Sequence, residues 1–128
     1  MVTEVTNGVK VTVEVEYQPQ YSSPSQHHYV FTYQVTIENN SAKTLQLTRR
    51  QWVINDAGFP IRKVEGEGVV GRQPILEPGQ KHQYMSGCNL RSGIGKMQGA
   101  YTMEQLMDGQ AITIQIPSFK MIVPFKNN

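Results

Sequence analysis

The sequence predicts an all-β domain, and three observations support this prediction. Thirty-one Val, Ile and Thr residues stand against nine Ala and Leu residues, and side chains that are stiff at χ1 favour strands over helices. Apolar and polar residues alternate in several runs of the chain, which is the period of a half-buried strand. Eleven Gly and seven Pro residues divide the 128 residues into short segments, as turns between strands do.

The first two predicted strands are long and regular. Residues 9–17 alternate apolar with polar side chains, so that one face of this strand is apolar. Residues 18–28 contain two prolines and three serines and are predicted to form a loop. Residues 29–37 repeat the alternation, and the sequence Asn39-Asn40-Ser41 predicts the turn that ends this strand.

The third predicted strand, residues 45–54, changes the parity of its apolar residues. Leu47 is odd-numbered, whereas Trp52 is even-numbered. One additional residue in a strand produces such a change, because successive side chains point to opposite faces. We therefore predict a β-bulge or a bend at or near Arg49-Arg50, with Trp52 packed inward and one arginine projecting into solvent.

After residue 60 the predicted strands are shorter, and they lie at residues 61–64, 81–86, 97–103, 112–116 and 119–123. The glycine-rich residues 65–74 and residues 89–95 are predicted to be loops. Asp108-Gly109 indicates a hairpin turn, and Pro117 indicates an edge or bulged strand. Residues 103–107 are the only helix candidate and are too short to form a stable helix. The pattern predicts about seven or eight strands in a sandwich or barrel.

Length and charge limit the classes of function. The 128 residues fit a single domain over 1–128. Twelve basic and ten acidic residues give a net charge of +2, too balanced to indicate a nucleic-acid-binding protein. No run approaches the roughly 18 apolar residues of a membrane span, and no basic, apolar leader is visible. Cys88 is the only cysteine, which fits a reducing, cytoplasmic location.

The segment Gly66-Glu-Gly68-Val-Val-Gly71 satisfies the pattern G-x-G-x-x-G. A dinucleotide site needs a helix directly after these glycines, and Pro74 and Pro78 exclude one. The glycines could instead present backbone N–H groups to an anion, with Arg72 beside them. Alternatively, they only allow the loop to adopt positive φ angles, and we favour this second interpretation.

No catalytic or metal-binding pattern is visible in the sequence. His27 and His28 are adjacent and point in opposite directions in an extended chain, so they cannot chelate one ion together. Cys88 lies in a predicted turn without a feature that would lower its thiol pKa. We therefore expect a protein that is not an enzyme and has no cofactor or metal ion.

A second candidate site is the basic and aromatic cluster formed by Arg49, Arg50 and Trp52. This cluster could contact phosphate or a partner molecule. The alternative is that Arg50 covers the Trp52 ring at the edge of a sheet. Consecutive residues of a strand point to opposite faces, so the two arginines cannot face the same way.

Several motifs, taken in order, resemble the bacterial ApaG proteins. The likeness covers roughly residues 9–124, and such ordered agreement is more specific than one glycine pattern. Its residues are Tyr29-Val30-Phe31-x-Tyr33-x-Val35-Thr36-Ile37, Arg50-x-Trp52-x-Ile54, Gly58, Val64-x-Gly66-Glu67-Gly68-Val69-Val70-Gly71-x-Gln73-Pro74, Pro78-Gly79, Tyr84-x-Ser86-Gly87, Gly95-x-Met97-Gln98-Gly99-x-Tyr101-x-Met103 and Ile116-Pro117-x-Phe119.

This resemblance implies an immunoglobulin-like or fibronectin type III-like β-sandwich. It also implies a link to cobalt resistance and magnesium efflux, and to a neighbouring diadenosine tetraphosphate hydrolase, with no established catalytic residues. Related domains occur in eukaryotic F-box and polymerase-interacting proteins. We therefore expect a non-enzymatic module that binds a protein, and no nucleic acid or membrane. The alternative is that residues 66–72 bind pyrophosphate or a dinucleoside polyphosphate, as has been suggested for the family's glycine motif.

Overall fold

The computed structural model describes residues 1–124 and contains nine strands and no α-helix in that range. Two single 3₁₀ turns, Pro19–Tyr21 and Pro24–Gln26, lie in the loop before the third strand. The strands are β1 (Val2–Thr6), β2 (Val9–Tyr17), β3 (Tyr29–Asn39), β4 (Leu45–Asp56), β5 (Arg62–Glu67), β6 (Ile75–Leu76), β7 (Lys81–Leu90), β8 (Ile94–Gln105) and β9 (Ala111–Ile122).

The strands form two antiparallel sheets that pack face to face. The first sheet has the order β1-β2-β3-β7, and the second has the order β5-β4-β8-β9 with β6 beside β4. Burial alternates along β3, where every odd-numbered residue from 29 to 39 is buried. The inward faces of both sheets share one hydrophobic core. This architecture confirms the predicted all-β sandwich of the immunoglobulin-like or fibronectin type III-like class.

Several element boundaries differ from the sequence prediction. The described residues form nine strands, two of which, β1 and β6, were not predicted. Strand β1 is largely exposed, and β6 has only two residues, so neither has a clear apolar pattern. Strand β7 extends to Leu90, so the loop predicted at residues 89–95 is wrong and only a tight turn remains. Residues 103–105 belong to β8 and not to a helix. The two short strands predicted after residue 111 are one strand, β9.

Both predicted irregularities are present. In the pairing of β4 with β8, Leu47 lies opposite Met103 and Arg49 opposite Thr102, so Thr48 is the extra residue. The bulge therefore lies just before the predicted position, and Arg50 keeps a regular place in the ladder. Strand β9 ends the second sheet and has a second register shift around Pro117, as a missing N–H donor requires.

Trp52 joins the two sheets through the core. Its side chain is 4% exposed. The ring centroids lie 5.5 Å from Tyr33 in the first sheet and 6.0 Å from Phe119 in the second, both in edge-to-face geometry that aromatic pairs favour. The indole lies over Gly99, where an added Cβ would come within 3.0 Å of Trp52 Cε3. The predicted inward packing of Trp52 is confirmed.

We expect Trp52→Ala to lower the free energy of unfolding by about 3–5 kcal/mol, because it removes a large buried ring and leaves a cavity. Urea denaturation of both proteins measures this difference. Gln51→Ala is the matched control, because Gln51 is exposed on the same strand and its change should stay within about 0.5 kcal/mol. Equal effects at positions 51 and 52 would contradict the packing described.

Candidate functional site

A cleft opens between the two sheets on the side where β7 is the terminal strand of the first sheet and β5 is the terminal strand of the second. Its volume is about 290 Å³. Aromatic and aliphatic side chains form most of its wall, and Arg50 and Ser86 add polar groups. The residues that define this cleft here are Tyr33, Arg50, Trp52, Val64, Tyr84 and Ser86. A cleft that combines apolar side chains with several polar groups is a candidate binding site.

Arg50 points into the cleft because the bulge at Thr48 shifts the inward face of β4 to even-numbered residues. Its guanidinium lies against Gly66, where an added Cβ would be 2.8 Å from Nη1. Nη1 donates hydrogen bonds to the carbonyl oxygens of Glu67 at 3.1 Å and Gly68 at 3.0 Å. Arg49 is exposed, which confirms that one arginine projects into solvent.

The positive charge of Arg50 is not balanced by these two contacts, because both acceptors are neutral carbonyl oxygens. Within residues 1–124, the Arg50 side chain has no further hydrogen bond or ion pair. The side chain is partly buried, so its charge has also lost part of its hydration. A desolvated charge without an opposite charge is costly, and a ligand that supplies one is favoured.

The glycine motif forms a small hairpin after β5. Val69 and Arg72 exchange N–H···O bonds of 2.8 Å and 3.0 Å, and Val70 and Gly71 form the two-residue tip with φ angles of +48° and +74°. Both positive values are those of a type I′ turn. Gly68 also has a positive φ, and a Cβ there would lie 2.1 Å from the Arg72 oxygen. We call residues 68–73 the glycine hairpin.

The glycines therefore have two different roles. Positive φ angles explain Gly68 and Gly71, as the sequence analysis favoured. Gly66 is not in that conformation and lies in β5, beside the Arg50 guanidinium. For Gly66 the explanation from positive φ is wrong. Its missing side chain provides the space that Arg50 occupies.

The bulge at Thr48 attaches the glycine hairpin to β4. The Thr48 carbonyl oxygen accepts hydrogen bonds from Gly68 N–H at 2.9 Å and from Gln73 Nε2 at 3.0 Å. Because Val69 N–H and Arg72 N–H also donate within the hairpin, three backbone donors of the motif are already used. This arrangement counts against a backbone cradle for an anion, although Arg72 itself is exposed.

Tyr33 and Tyr84 line the cleft, and the fully buried Tyr101 lies behind them. The hydroxyl groups of Tyr84 and Tyr101 share a hydrogen bond, and Ser86 beside Tyr33 opposes part of the rise in the pKa of that phenol. Burial raises the pKa of all three phenols, and the Arg50 charge opposes this shift only in part. The phenols are therefore neutral at physiological pH. They can donate or accept hydrogen bonds but are poor general bases.

Cys88 lies in β7 and not in the predicted turn. The thiol is buried, and burial raises its pKa although the Arg62 guanidinium acts in the opposite direction. Arg62 Nη2 donates to the Asn89 carbonyl oxygen at 2.6 Å, bridging β5 and β7 at one end of the cleft. These features describe a structural thiol and not an activated nucleophile.

Within residues 1–124 no group of three or more His, Cys, Asp or Glu side chains is arranged to hold a metal ion. The same part of the chain contains no helix long and apolar enough to cross a membrane.

His82 packs on Tyr84 at a centroid distance of 6.3 Å. Burial lowers its pKa, and the nearby charge of Arg72 lowers it further.

Residues 19–105 match the family model of the ApaG domain. The chain belongs to the ApaG family. Protein ApaG of Brucella abortus (strain S19) is 47% identical over 124 residues, which cover 97% of this chain and 95% of that protein. Protein ApaG of Acidithiobacillus ferrooxidans is 43% identical over 114 residues, or 88% of each chain. These findings confirm the resemblance seen in the ordered motifs.

A solved structure with a similar sequence has the same fold. The crystal structure of a Bordetella pertussis protein assigned as ApaA superposes with a TM-score of 0.86 at 39% identity. The alignment covers 91% of this chain and 94% of that chain. A protein from Archaeoglobus fulgidus has a TM-score of 0.53 at 8% identity, and that likeness concerns the fold alone.

The structure brings some of the predicted site residues of this ApaG family member together and separates others. Arg50, Trp52 and Gly66 meet at the cleft, whereas Arg49 faces solvent. Sequence reasoning missed the tyrosines and Ser86. The alternation of His82, Tyr84 and Ser86 along β7 was the available signal, since residues two apart in a strand share a face.

Val70 should be replaceable with a gain in stability. It is a β-branched residue in the left-handed region and is 62% exposed at the tip of the hairpin. Val70→Asn should raise the free energy of unfolding by ~1 kcal/mol, because asparagine tolerates this conformation. Urea denaturation measures the change. Gly71→Val is the matched control and should be destabilising, because it places a second β-branched residue in the left-handed region. A loss of stability in Val70→Asn would contradict the strain inferred at Val70.

The buried phenols should make stability depend on alkaline pH. Their pKa values are higher in the folded state than the value of about 10 in the unfolded chain. Their contribution is therefore complete below about pH 10 and is lost as the pH rises further, by about 1.4 kcal/mol per pH unit for each phenol. Urea denaturation between about pH 8 and about pH 11 should show a shallower decline for Tyr84→Phe. Parallel curves for the two proteins would contradict this account.

Proposed function

We propose that this ApaG family member is a non-enzymatic module that binds a partner protein along the open edge of β7. A terminal strand presents unpaired backbone groups, and an extended segment of another protein can add to it as a further strand. Native proteins usually protect such edges with charges, prolines, bulges or short length. The observation that supports the proposal is that β7 has little of this protection.

The other terminal strands carry protective features, and β6, which lies beside β4, has only two residues. Strand β1 has five residues and includes Glu4. Strand β5 has six residues, and Lys63, Glu65 and Glu67 alternate along it. Strand β9 is interrupted by the bulge at Pro117. Short, charged or bulged edges resist the addition of a further strand.

Strand β7 differs in each respect. Its ten residues pair with β3 in one continuous register without a bulge. The sequence from Lys81 to Leu90 contains no proline and no charged residue other than Lys81. Met85 is 58% exposed and provides apolar area to a partner. Arg62 covers only the far end of the strand, at the Asn89 carbonyl oxygen.

The titratable groups of the cleft also favour binding over catalysis. Its phenols are neutral at physiological pH because burial raises their pKa values, whereas a general base needs a pKa near the working pH. A binding module of this kind can influence cobalt resistance or magnesium efflux only through the protein that it binds. We place that encounter in the cytoplasm.

The second candidate is a site for pyrophosphate or a dinucleoside polyphosphate at residues 66–72. The exposed guanidinium of Arg72 near the hairpin tip is the observation that favours it. Titration calorimetry with pyrophosphate and with diadenosine tetraphosphate distinguishes the two functions. Saturable heats that disappear in Arg72→Ala would support the anion site, and the protein-binding function predicts no such heats.

Photo-crosslinking inside cells tests the proposed edge. A benzoylphenylalanine placed at position 85, beside the edge, should form a discrete crosslinked product with another protein, because an added strand would lie within reach. The same residue at position 14 is the control, since Glu14 is exposed on β2, which β3 separates from β7. Equal products from both positions, or none from either, would count against the proposal.

A charged substitution on the edge provides a second check. Met85→Lys should abolish the product from a crosslinker at position 83 without lowering the free energy of unfolding by more than about 0.5 kcal/mol, because the side chain is exposed and charge blocks strand addition. A dimer formed through two β7 strands would instead appear as a concentration-dependent mass in analytical ultracentrifugation.

A further inference from the structure

Arg50 provides a basis for recognising the bound segment. We propose, resting on strand addition at β7, that the segment carries an Asp or Glu side chain which enters the cleft and pairs with Arg50. The occupant is an extended segment of a partner protein with an acidic residue and an apolar residue two positions apart. Each part of this description follows from a feature of the cleft.

The direction of the side chains follows from strand geometry. A strand added to β7 would alternate its side chains between the two faces of the sheet. On the inner face they would lie beside Tyr84 and Ser86, which line the cleft. Arg50 lies across the same cleft, so an inward side chain of the added strand is directed towards its guanidinium.

The preference for a carboxylate follows from the unused donors of Arg50. Its hydrogen bonds use Nη1 and neutral carbonyl oxygens, and within residues 1–124 no further partner is present. A guanidinium has five N–H donors, and a carboxylate can accept two of them in parallel. The partly apolar wall formed by Trp52 and Val64 strengthens such a pair, because it lowers the local dielectric.

The surrounding charges also favour an acidic segment. Residues 78–90 include Lys81 and no acidic residue, so an acidic strand meets no repulsion along β7. Strand β5 carries Glu65 and Glu67 on its outward face and would repel the same segment. A second copy of this chain is a poor occupant, because its own β7 would bring no carboxylate to Arg50.

The apolar preference follows from the spacing of residues along the cleft. Gly66 and Val64 are two residues apart on the inner face of β5. An added strand has the same period, so a side chain two positions from the carboxylate reaches the level of Val64. Val64 is 39% exposed and gains contact area from an aliphatic or aromatic side chain there.

Selection from a random peptide library tests the inference with a defined probe. Phage-displayed peptides of about nine residues, the length of a long strand, would be selected against the full chain. We expect enrichment of Asp or Glu with an apolar residue two positions away. The selected peptide would then be synthesised with its acidic residue intact and as the corresponding amide, Gln or Asn.

Three variants measure the role of Arg50 in binding the synthetic peptide. Arg50→Gln should weaken binding by roughly tenfold to hundredfold, and the amide peptide should show no additional loss with this variant. Gly66→Ala should also weaken binding, because its Cβ displaces the flexible end of Arg50 at an ordinary strand φ that alanine adopts. Arg49→Gln, an exposed neighbouring arginine, should bind as the parent does.

The outcomes separate this inference from the proposed function. Selected peptides that compete with crosslinking at position 85 but show no acidic preference would overturn the role of Arg50 and leave strand addition intact. An acidic preference that Arg72→Gln removes and Arg50→Gln does not would move the carboxylate to the glycine hairpin. If no peptide is selected and no crosslink forms, both proposals fail. If Arg50→Gln does not fold, the affinities of Gly66→Ala for the acidic peptide and of the parent protein for the amide peptide still test the pairing with Arg50.

Discussion

The extra residue in β4 determines which side chains face the cleft. If Thr48 took a regular paired place opposite β8 instead of forming the bulge, strict alternation from Leu47 would turn Arg49 inward and leave Trp52 in solvent. With the bulge, the indole enters the core and Arg50 enters the cleft. The displaced carbonyl oxygen of Thr48 also holds the glycine hairpin. The bulge therefore sets the core contact between the sheets and the position of Arg50, the arginine among the residues described as lining the cleft.

Unfavourable features concentrate on the same side of the sandwich. Val70 occupies a left-handed conformation, Arg50 carries a charge in a partly apolar cleft, and β7 leaves a long regular edge. Elsewhere, within residues 1–124, buried side-chain polar atoms all have hydrogen-bond partners. Local costs that persist in an otherwise consistent structure are typical of functional sites, and here they lie on the side of β5 and β7.

The sequence revealed the fold where burial is one-sided and regular. The alternation in β2 and β3 and the parity change before Trp52 follow directly from side-chain period. Strand β1 escaped prediction because it is mostly exposed, and the end of β7 escaped because Gly87 and Cys88 resemble a turn. The position of Arg50 could not be read from β4 alone. It depends on the register that places Gly66 opposite it, and register between distant strands is a tertiary property.

An open edge that accepts a strand would limit the concentration at which a cell can tolerate this protein. Main-chain pairing is indifferent to sequence, so if β7 accepts a strand as proposed, it would also engage newly synthesised or unfolding chains whenever these are abundant. Occupancy by such chains follows mass action and rises as their concentration approaches that of the intended partner. Overproduction of this protein would then sequester unfolded chains. The growth of heat-stressed cells would decline at a lower concentration of this protein than the growth of unstressed cells.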